Sequence, residues 1–593
     1  MAALFTTPKR NDTTAGTHVA EPDVRRRIGL AHGSWRRVTR RIVAGAVCAL
    51  TVSSLLMPSV SLAAEWVKVG GNKYNTAASD EAGTWSWDGA DDLKLNNYNG
   101  GEIQAAGKLN VNYSGTNIVT AEWIESINVS HGTNENAELN IQGDEGGTLS
   151  VTSTEDAILS TGNINIDGAG SVNATSTGFD AINAGGDLAI KGSGNVNATG
   201  ASDGIRANGN ITIDDSGAVT ARATKDKGIG ADKNLTIKGG GTVEASSADG
   251  EALWSGGNIN ISDGSQVKAN SEEDSAVIST YKLTVTNASL NASGAKYGVH
   301  AFGGVTFDHA TVTVRTSAGG GQAIALFTDW DDIVIKNGST VDAFAEGEVS
   351  AAFSTRNDRP NEKGGHIYIS DSVVKAIARY VENGDGPIPY SENQDGETRR
   401  EPQGENIGII AQTSEGVTPA VISIIRSKVT AEGDTAAIFA RAMSADGKTI
   451  GTIKIENAAI QTPEGGKVID YRKLRDGIYE AGQAIGTGDA TVDSLYIKAV
   501  AKSTTIAPPE VAKPEDPKPD ETKPAESKPA ESKQNPKPEG SKPTKAVAAS
   551  TTKAKTTGKL AATGDASSAA IVAAALAGTA AIAAGAVVSR KRS

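Results

Sequence analysis

The sequence has few aromatic residues and a single cysteine. Phe, Trp and Tyr together make up 4% of its 593 residues, and Cys48 is the one cysteine. A core in a chain of this length must therefore be built from Val, Ile, Leu and Ala. Because Cys48 lies in an amino-terminal apolar run typical of export signals, we expect a mature protein without disulfides, cysteine-bound metals or a cysteine nucleophile.

Acidic residues outnumber basic ones between the two ends of the chain. The formal net charge is −13 at pH 7, with 57 basic and 70 acidic residues. Binding to nucleic acid requires a basic face that neutralises phosphates. The sequence offers no such face, and nucleic acid is excluded as a partner.

Residues 1–64 are predicted to be an export signal. An arginine-rich segment precedes the apolar run Ile42–Ala64, which ends in small residues. This order is typical of signal peptides, with cleavage expected after Ala63 or Ala64. Two Arg-Arg pairs before the run leave both the general and the twin-arginine export routes open. A retained membrane anchor is the alternative.

Residues 560–593 contain a short motif, an apolar run and a basic tail, in that order. The apolar run, 566–588, exceeds the roughly 20 residues that cross a bilayer, and the basic tail is expected to stay on the cytoplasmic side. The segment resembles the sorting signal of Gram-positive surface proteins, in its LAxTG variant. The residues that match the motif are Leu560, Ala561, Ala562, Thr563 and Gly564.

This resemblance implies that a sortase cleaves between Thr563 and Gly564 and joins Thr563 to peptidoglycan. The expected location is the cell surface of a Gram-positive bacterium, after a transient stage in the membrane. A tail-anchored membrane protein is the alternative. Residues 503–559, rich in Pro, Lys and Glu, are predicted to be a disordered stalk. In polyproline II conformation the stalk would reach at most roughly 170 Å, enough to cross a wall.

The middle of the chain is one repeat with three columns of apolar residues. The first column is an x-apolar-x-apolar segment that begins at Asn163, Asp187, Asn210, Asn234, Asn258 and Lys282. The second is an apolar-x-Ala segment, as in Val172/Ala174 and Val196/Ala198. The third is a single apolar position: Ile158, Ile182, Ile205, Ile229, Leu253, Val277 and Val299.

Alternation with a period of two predicts strands, and the Gly, Asn and Asp residues between them predict turns. We therefore predict an all-β protein, a right-handed parallel β-helix (β-solenoid) over residues 93–502 with 22–24 residues per coil. A β-sandwich is the alternative. Residues 65–92 are predicted to cap the first coil, with Trp66, Trp85, Trp87 and Trp123 either covering the core or forming a sugar-stacking platform.

Two polar columns follow the same repeat. Asn163, Asn210, Asn234 and Asn258 are predicted to form a structural ladder of side-chain amides. Asp156, Asp180 and Asp203 occupy one position on successive coils, where like charges repel. Asx turns, the positive charge of Lys227 on the next coil, or a bound Ca²⁺ could relieve this repulsion.

The segments DGIRANGNITI (203–213) and DKGIGADKNLTIKGGGTVEA (226–245) resemble the carbohydrate-binding β-helix domain of bacterial surface proteins. That family is similar in fold to polysaccharide lyases. The resemblance implies Ca²⁺ at the Asp column and binding of acidic or cellulosic polysaccharides.

Aromatic and basic residues in segments that break the repeat are candidates for sugar binding. Trp254 is a separate candidate within the regular repeat: it follows the inward-facing Leu253, so it should point outward and either stack on a sugar ring or cover its neighbours. The candidates are Trp254, Trp330, Arg359, Tyr380 and Tyr390. Tolerated insertions without function are the alternative. The first hypothesis is an adhesin or polysaccharide-binding surface protein that recognises a polysaccharide or host glycan without catalysis. A wall-anchored polysaccharide lyase and a purely structural rod are the alternatives.

Overall fold

The computed structural model describes residues 63–509, with gaps at 122–126, 131–136, 318–320, 360–362, 382–390, 393–397, 400–404, 415, 445–446, 476–477 and 488–498. The chain divides into two units, Met1–Ala512 and Lys513–Ser593, and every described residue lies in the first. The described residues form strands and no helix. Accordingly, no apolar helix long enough for a membrane span is found among them.

The strands are short and follow one another throughout the described chain. The first twelve are β1 Val67–Val69, β2 Asn72–Tyr74, β3 Ala78–Ser79, β4 Trp85–Trp87, β5 Asp92–Asn96, β6 Asn99–Gly100, β7 Ile103–Ala106, β8 Lys108–Ser114, β9 Thr116–Thr120, β10 Ile127–Ser130, β11 Glu138–Gly143 and β12 Thr148–Ser153. The regular coils contain β13 Ile158–Ser160, β14 Asn163–Gly168, β15 Ser171–Ser176, β16 Ile182–Ala184, β17 Leu188–Lys191, β18 Val196–Gly200, β19 Ile205–Ala207, β20 Ile211–Asp214, β21 Ala218–Ala223, β22 Ile229–Ala231, β23 Leu235–Lys238, β24 Thr242–Ser247, β25 Leu253–Ser255, β26 Ile259–Ser262, β27 Gln266–Ser271, β28 Val277–Ser279, β29 Leu283–Thr286, β30 Ser289–Gly294, β31 Tyr297–Ala301, β32 Val305–Asp308 and β33 Thr311–Ser317.

The carboxy-terminal part of the described chain contains longer strands. They are β34 Gln322–Thr328, β35 Ile333–Lys336, β36 Thr340–Gly347, β37 Val349–Asn357, β38 Ile367–Ser370, β39 Val373–Tyr380, β40 Ser391–Glu392, β41 Thr398–Arg399, β42 Asn406–Thr413, β43 Val421–Ile425, β44 Lys428–Gly433, β45 Ala436–Ser444, β46 Thr452–Glu456, β47 Ala459–Thr462, β48 Lys467–Arg475, β49 Ile478–Gly486 and β50 Ser503–Ala507.

Each coil contributes one strand to each of three long sheets. Sheet 1 contains β3, β4, β5, β8, every third strand from β11 to β38, then β43 and β46. Sheet 2 contains β1, β2, β7, every third strand from β10 to β37, then β42, β45, β49 and β48. Sheet 3 contains β6, every third strand from β9 to β39, then β44, β50 and β47, while β40 and β41 form a separate pair.

The three predicted apolar columns are confirmed as in-register parallel ladders. In sheet 1, Ile164 pairs with Leu188, and Leu188 with Ile211. The Val-x-Ala column forms sheet 3, and the single apolar column that includes Ile158 and Ile182 forms sheet 2. These inward side chains make one continuous aliphatic core. The all-β class and the stacked parallel coils therefore follow from the period-two pattern repeated along the chain.

The predicted length of 22–24 residues per coil holds for the regular coils and is wrong further along the chain. Equivalent positions lie 24 residues apart from Asn163 to Asp187, but 34 apart from Asp332 to His366 and 55 apart from His366 to Val421. Insertions between strands account for the difference. The longer strands of sheet 2 there are buried on both faces, with Phe327, Ile410 and Phe439 in a second apolar cluster.

The turn that follows each strand of sheet 1 requires a left-handed backbone. One residue per coil has a positive φ at this position, and most of them are Gly, Asn or Asp, which adopt it at low cost. From β14 onwards they are Gly168, Gly192, Asp215, Gly239, Asp263, Asn287, His309, Asn337, Asp371, Arg426 and Asn457. The turn residues noted in the sequence thus have a defined conformational role.

The predicted asparagine ladder lies at the start of the sheet 1 strands. The Asn210 side-chain oxygen accepts the Asn234 backbone N–H at 3.2 Å and its side-chain N–H at 3.0 Å. Asn234 receives the same two bonds from Asn258, at 2.9 and 3.2 Å. Asp187 takes the place of asparagine on the coil between Asn163 and Asn210 and accepts the Asn210 N–H at 2.7 Å.

Antiparallel strands close the amino-terminal end of the solenoid. β1 pairs with β2 and β7, and β4 pairs with β3 and β5, all antiparallel. Trp85 and Trp87 of β4 are 7% and 2% exposed and belong to the core, as the cap hypothesis requires. Their burial excludes a sugar platform made of these two rings. Trp66 packs beside Lys73, and Trp123 lies outside the described residues.

The carboxy-terminal boundary of the predicted solenoid is corrected by the structure. Parallel pairing ends at Glu456 rather than at residue 502, because β49 pairs antiparallel with β45 and β48. The stalk was predicted from residue 503, yet Ser503–Ala507 form β50, which lies antiparallel between β44 and β47. Thr504 and Ile506 are buried and alternate with more exposed residues. Five residues of the predicted stalk therefore belong to sheet 3.

A buried ionic cluster lies where β45 meets the terminal hairpin. Arg441 donates to both carboxylate oxygens of Glu405, at 3.2 and 3.1 Å, and to Gln412 Oε1 at 2.6 and 2.9 Å. Its guanidinium is also 3.9 Å from Glu480, whose carboxylate accepts the Tyr471 hydroxyl at 3.1 Å. Burial disfavours the charged guanidinium, but Glu405 and Glu480 outweigh it and raise the pKa of Arg441.

Candidate functional site

Each strand of sheet 2 leads into a strand of sheet 1 through a short corner. Serine hydroxyls link successive corners: Ser255 Oγ donates to the Lys233 carbonyl at 2.6 Å, and Ser279 Oγ donates to the Gly257 carbonyl at 3.0 Å. The corners therefore repeat with the same backbone geometry. Side chains at equivalent corner positions lie one above another, about 4.8 Å apart.

Five aromatic side chains lie at or beside this corner on five consecutive coils. Trp254 belongs to β25 of sheet 2 and Tyr368 to β38 of sheet 1, while Tyr281, Phe302 and Trp330 lie between the strands. We call them the corner stripe; they are Trp254, Tyr281, Phe302, Trp330 and Tyr368. Tyr281 is 59% exposed and Tyr368 is 37% exposed, while the other three are half-buried. Four steps of about 4.8 Å give the stripe a length of about 19 Å parallel to the solenoid axis.

Trp330 and Arg359, two of the predicted sugar-binding residues, are brought together. The Arg359 guanidinium lies 3.4 Å from the centre of the Trp330 ring, in a cation–π stack. The Phe302 ring is 5.4 Å from Trp330 on the preceding coil. One face of the Trp330 ring is thus covered by Arg359, and a sugar would stack there only if the guanidinium moved.

Trp254 lies at the amino-terminal end of the stripe, as its outward position predicted. It pairs with Gly230 and Ile278 in sheet 2, and the Lys227 ammonium is 5.4 Å from its ring centre. A Cβ added at Gly256 would lie 3.3 Å from the Trp254 ring. The indole therefore reaches over the corner glycine Gly256.

A buried polar network supports the middle of the stripe. His300 Nε2 is 2.9 Å from Asp329 Oδ2, and Arg356 donates to Asp329 Oδ1 at 2.8 Å. The His300 ring stacks on Phe302 at 4.2 Å and lies 4.9 Å from Phe327. These contacts fix the orientation of Phe302, so the stripe is built on a packed base.

Tyr380, another predicted sugar-binding residue, lies apart from this site. Tyr380 ends β39 in sheet 3, where its backbone N–H donates to Asp434 Oδ2 at 2.7 Å. Tyr390 lies outside the described residues. Among the described candidates, Tyr380 is therefore separate from Trp254, Trp330 and Arg359, because it ends a strand of sheet 3 rather than lying near the corner between sheets 2 and 1.

The Asp column is used for backbone hydrogen bonding between coils. Asp156 Oδ1 accepts the Asp180 N–H at 2.9 Å, Asp180 Oδ1 accepts the Asp203 N–H at 2.9 Å, and Asp203 Oδ1 accepts the Lys227 N–H at 2.6 Å. Arg206 lies 3.4 Å from Asp203 Oδ2. These hydrogen bonds join successive coils and are therefore not Asx turns. Lys227 continues the column through its backbone N–H, while its ammonium group pairs with Asp226.

Burial raises the pKa of Asp180 and Asp203. For Asp203 the pKa is raised to about 6, first by burial and further by the charge of Asp180, against the opposing hydrogen bond from Lys227. For Asp180 burial again raises the pKa, with Asp156 adding to the shift. A carboxyl group that is buried close to a second carboxylate favours its protonated form.

Calcium at the Asp column stays a prediction. In the described part of the chain, the one trio of acidic residues whose oxygens lie within 4.8 Å of one another is Asp88, Asp91 and Asp92, near the cap. Asp88 Oδ1 already accepts the backbone N–H groups of Ala90 and Asp92, at 2.8 and 3.1 Å, as in an Asx turn.

The export signal, the stalk beyond residue 509 and the sorting signal lie outside the described residues. Ala63 and Ala64, beside the predicted cleavage site, are described: Ala63 forms a parallel bridge with Lys108, and Ala64 is 5% exposed. The motif residues Leu560 to Gly564 and the apolar run 566–588 remain sequence-based expectations.

Three residues of the stripe were missed by sequence analysis: Tyr281, Phe302 and Tyr368. Tyr281 and Phe302 follow the single apolar column by a few residues and stand at the corner that glycine occupies on earlier coils. Extending the alignment of columns through the corners would have found them.

Comparison of this chain with protein-family models, with curated proteins and with solved structures found no match in any of the three.

Proposed function

We propose that this protein is a cell-wall-anchored surface protein whose solenoid binds an extended polysaccharide along the corner stripe. In this proposal the chain forms a right-handed β-helix on a disordered stalk. A sortase joins Thr563 to peptidoglycan after export, and the membrane span of residues 566–588 is lost. The order of signals at the two ends of the sequence supports this location.

The observation that carries the binding proposal is the presence of an aromatic side chain at or beside the same corner on each of five consecutive coils. An aromatic ring offers an apolar face against which the C–H groups of a sugar ring can pack, at low entropic cost. The coils repeat about every 4.8 Å along a rigid axis, so aromatic rings on five consecutive coils favour an extended ligand. A small ligand would leave most of the stripe unused.

Binding is favoured over cleavage because Arg206, the basic residue beside the Asp column, stays protonated. A lyase requires a base that accepts a proton from the sugar ring. Arg206 lies 3.4 Å from Asp203 and 3.5 Å from Asp232. Burial disfavours the charge of Arg206, but the two carboxylates outweigh burial and raise its pKa. The guanidinium therefore stays protonated and does not serve as the base that accepts a proton.

The test is the retardation of the purified full-length chain in native gels that contain a polysaccharide. The panel includes hydroxyethyl cellulose, dextran, polygalacturonate, alginate and hyaluronate, each with added Ca²⁺ and again with EGTA. We expect retardation by at least one of them. Tyr281→Ala with Tyr368→Ala removes the two most exposed rings of the stripe and should weaken binding about tenfold.

The matched control is Phe179→Ala. Phe179 is 52% exposed but lies at another corner, between β15 and β16, so its removal should leave retardation unchanged. Equal losses in both variants would contradict the assignment of the stripe. A wild-type chain that no polysaccharide retards would overturn the proposal and leave a structural rod or a protein ligand. New unsaturated-uronate absorbance with an acidic polymer would instead indicate a lyase.

A further inference from the structure

A polar groove runs along the outer face of sheet 1, next to the corner stripe. It has a volume of about 620 Å³ and crosses the five strands β14, β17, β20, β23 and β26. We call it the amide trench. Its floor is one in-register column of small side chains: Asn165, Ala189, Thr212, Thr236 and Asn260.

One wall of the trench is the asparagine ladder, which retains unused donors. Asn234 and Asn258 each donate one side-chain N–H to the amide oxygen of the preceding coil. An amide nitrogen has two hydrogens. Within the described residues, the second hydrogen of each has no protein acceptor. The ladder thus presents N–H donors that repeat at about 4.8 Å.

The floor contributes hydroxyl groups with the same spacing. Thr212 and Thr236 face each other across adjacent strands, β20 and β23. Among the described residues their hydroxyls have no protein partner, and each can both donate and accept. Both side chains are half-buried, so a bound chain would reach them from the open side of the trench.

The charge of the trench is balanced. Asp187 and Lys191 are the charged residues among those that line it, and they have opposite signs. The chain as a whole carries a net charge of −13, which repels a polyanion at long range. The trench therefore has neither the rows of cations that an acidic polymer needs nor the rows of carboxylates that a basic one needs.

From these observations we propose that the amide trench binds a neutral, extended polysaccharide that runs parallel to the solenoid axis. Its hydroxyl groups exchange hydrogen bonds with the ladder amides and the threonine hydroxyls, one coil after another. This inference rests on the proposed function, because the ladder position of Asn258 continues through Lys282, beside Tyr281 of the corner stripe. The trench ends on the coil that contains Trp254, and the stripe continues from that coil over the next four.

The experiment measures retardation of the full-length chain by hydroxyethyl cellulose, a neutral polymer, and by polygalacturonate, an acidic one. Thr212→Glu with Thr236→Glu places two charges on the floor and should weaken binding to hydroxyethyl cellulose at least about tenfold. Thr212→Ala with Thr236→Ala removes the hydroxyls alone and should weaken it about threefold to tenfold. Thermal unfolding of each variant confirms that the fold is retained.

The matched control is Asn197→Glu with Asn291→Glu, which adds the same charge on exposed positions of sheet 3. It should leave retardation unchanged. If the Tyr281 and Tyr368 variant loses binding while both trench variants keep it, the trench proposal fails and the proposed function stands. Retardation by polygalacturonate alone also overturns the trench proposal. A wild-type chain that neither polymer nor the wider panel retards overturns both.

Discussion

At the scale of single residues, the Asp column shows how a repeat tolerates stacked like charges. Asp180 and Asp203 are 7% and 1% exposed, and each carboxylate accepts the N–H of the next coil. The hydrogen bonds stabilise the ionised form, whereas burial and the neighbouring carboxylates destabilise it. For Asp203 the destabilising effects are larger, and its pKa is raised to about 6.

The raised pKa predicts that Asp203→Asn stabilises the protein near neutral pH. Above about 6 the folded protein holds a carboxylate that would be better solvated in the unfolded chain; this penalty declines as pH falls through the window from about 6 to about 4 and is absent below it. Asparagine keeps the acceptor for the Lys227 N–H without the charge. We expect a gain of up to about 3 kcal/mol at about pH 7.5 and no gain at about pH 4, measured by urea unfolding in EGTA.

Asp232→Asn is the control for that change. Asp232 also contacts Arg206 but is 40% exposed, so its replacement should alter stability by less than about 0.5 kcal/mol. The calcium hypothesis makes the opposite prediction for Asp203. If the column holds Ca²⁺, added Ca²⁺ should raise the unfolding midpoint of the wild type and Asp203→Asn should abolish that rise. Destabilisation by Asp203→Asn in EGTA would contradict the prediction, because it would show that the contacts of the ionised carboxylate with Arg206 and Lys227 outweigh the cost of burying its charge.

At the scale of the strand and turn, the left-handed position after each sheet 1 strand limits which residues the repeat accepts. Gly239 has φ +85°, and an added Cβ would lie 2.4 Å from the Asp215 backbone nitrogen of the preceding coil. Gly264 lies one residue beyond the equivalent position, which Asp263 occupies; it also has a positive φ, +84°, but an added Cβ would meet no atom closer than 3.7 Å. The two glycines share the conformational demand and differ in the contact with the neighbouring coil.

This difference predicts the relative cost of two alanine substitutions. Gly264→Ala should cost about 1–2 kcal/mol through the backbone conformation alone. Gly239→Ala should cost at least about 1 kcal/mol more, because the methyl group has to displace backbone of the adjacent coil. Urea unfolding followed by circular dichroism compares them. Equal costs would show that the coils can separate locally at this turn.

The sequence predicted the strands well and the site only in part. Alternation of apolar residues located the inward columns of β14 to β31. Every second side chain of a strand faces the continuous core, so an apolar residue is required at each of these positions. The corner stripe was found at Trp254 and Trp330 but missed at Tyr281, Phe302 and Tyr368. Outward side chains are not constrained by the period, and their proximity depends on corner geometry that the pattern does not encode.

At the scale of the whole molecule, the solenoid has to be closed at the end where parallel stacking stops. Otherwise the last strands would expose unpaired N–H and C=O groups to other chains. β48, β49 and β50 supply this closure with antiparallel strands. No repeat predicts it, since these strands occur once. The boundary placed at residue 502 by sequence was therefore the least accurate part of the predicted fold.

The buried cluster around Arg441 should determine how firmly this closure is held. Arg441→Ala leaves the carboxylates of Glu405 and Glu480 buried without their cation, which should cost about 3–5 kcal/mol. Coils of a solenoid contact only their neighbours, so the loss should stay local. We expect faster hydrogen exchange in peptides from β42 to β49, with protection unchanged in β14 to β29.

Arg315→Ala provides the comparison for that measurement. Arg315 pairs with Asp342 at 2.7 Å on the surface of sheet 3, where both side chains are 37% exposed, so its removal should cost about 1 kcal/mol or less. Loss of protection spread evenly over all coils in Arg441→Ala would mean that the solenoid unfolds as one cooperative unit. Unchanged exchange in β42 to β49 would mean that strand pairing alone holds the closure. A loss of protection confined to β42 to β49 would establish instead that the buried Arg441 side chain stabilises the antiparallel strands that close the solenoid.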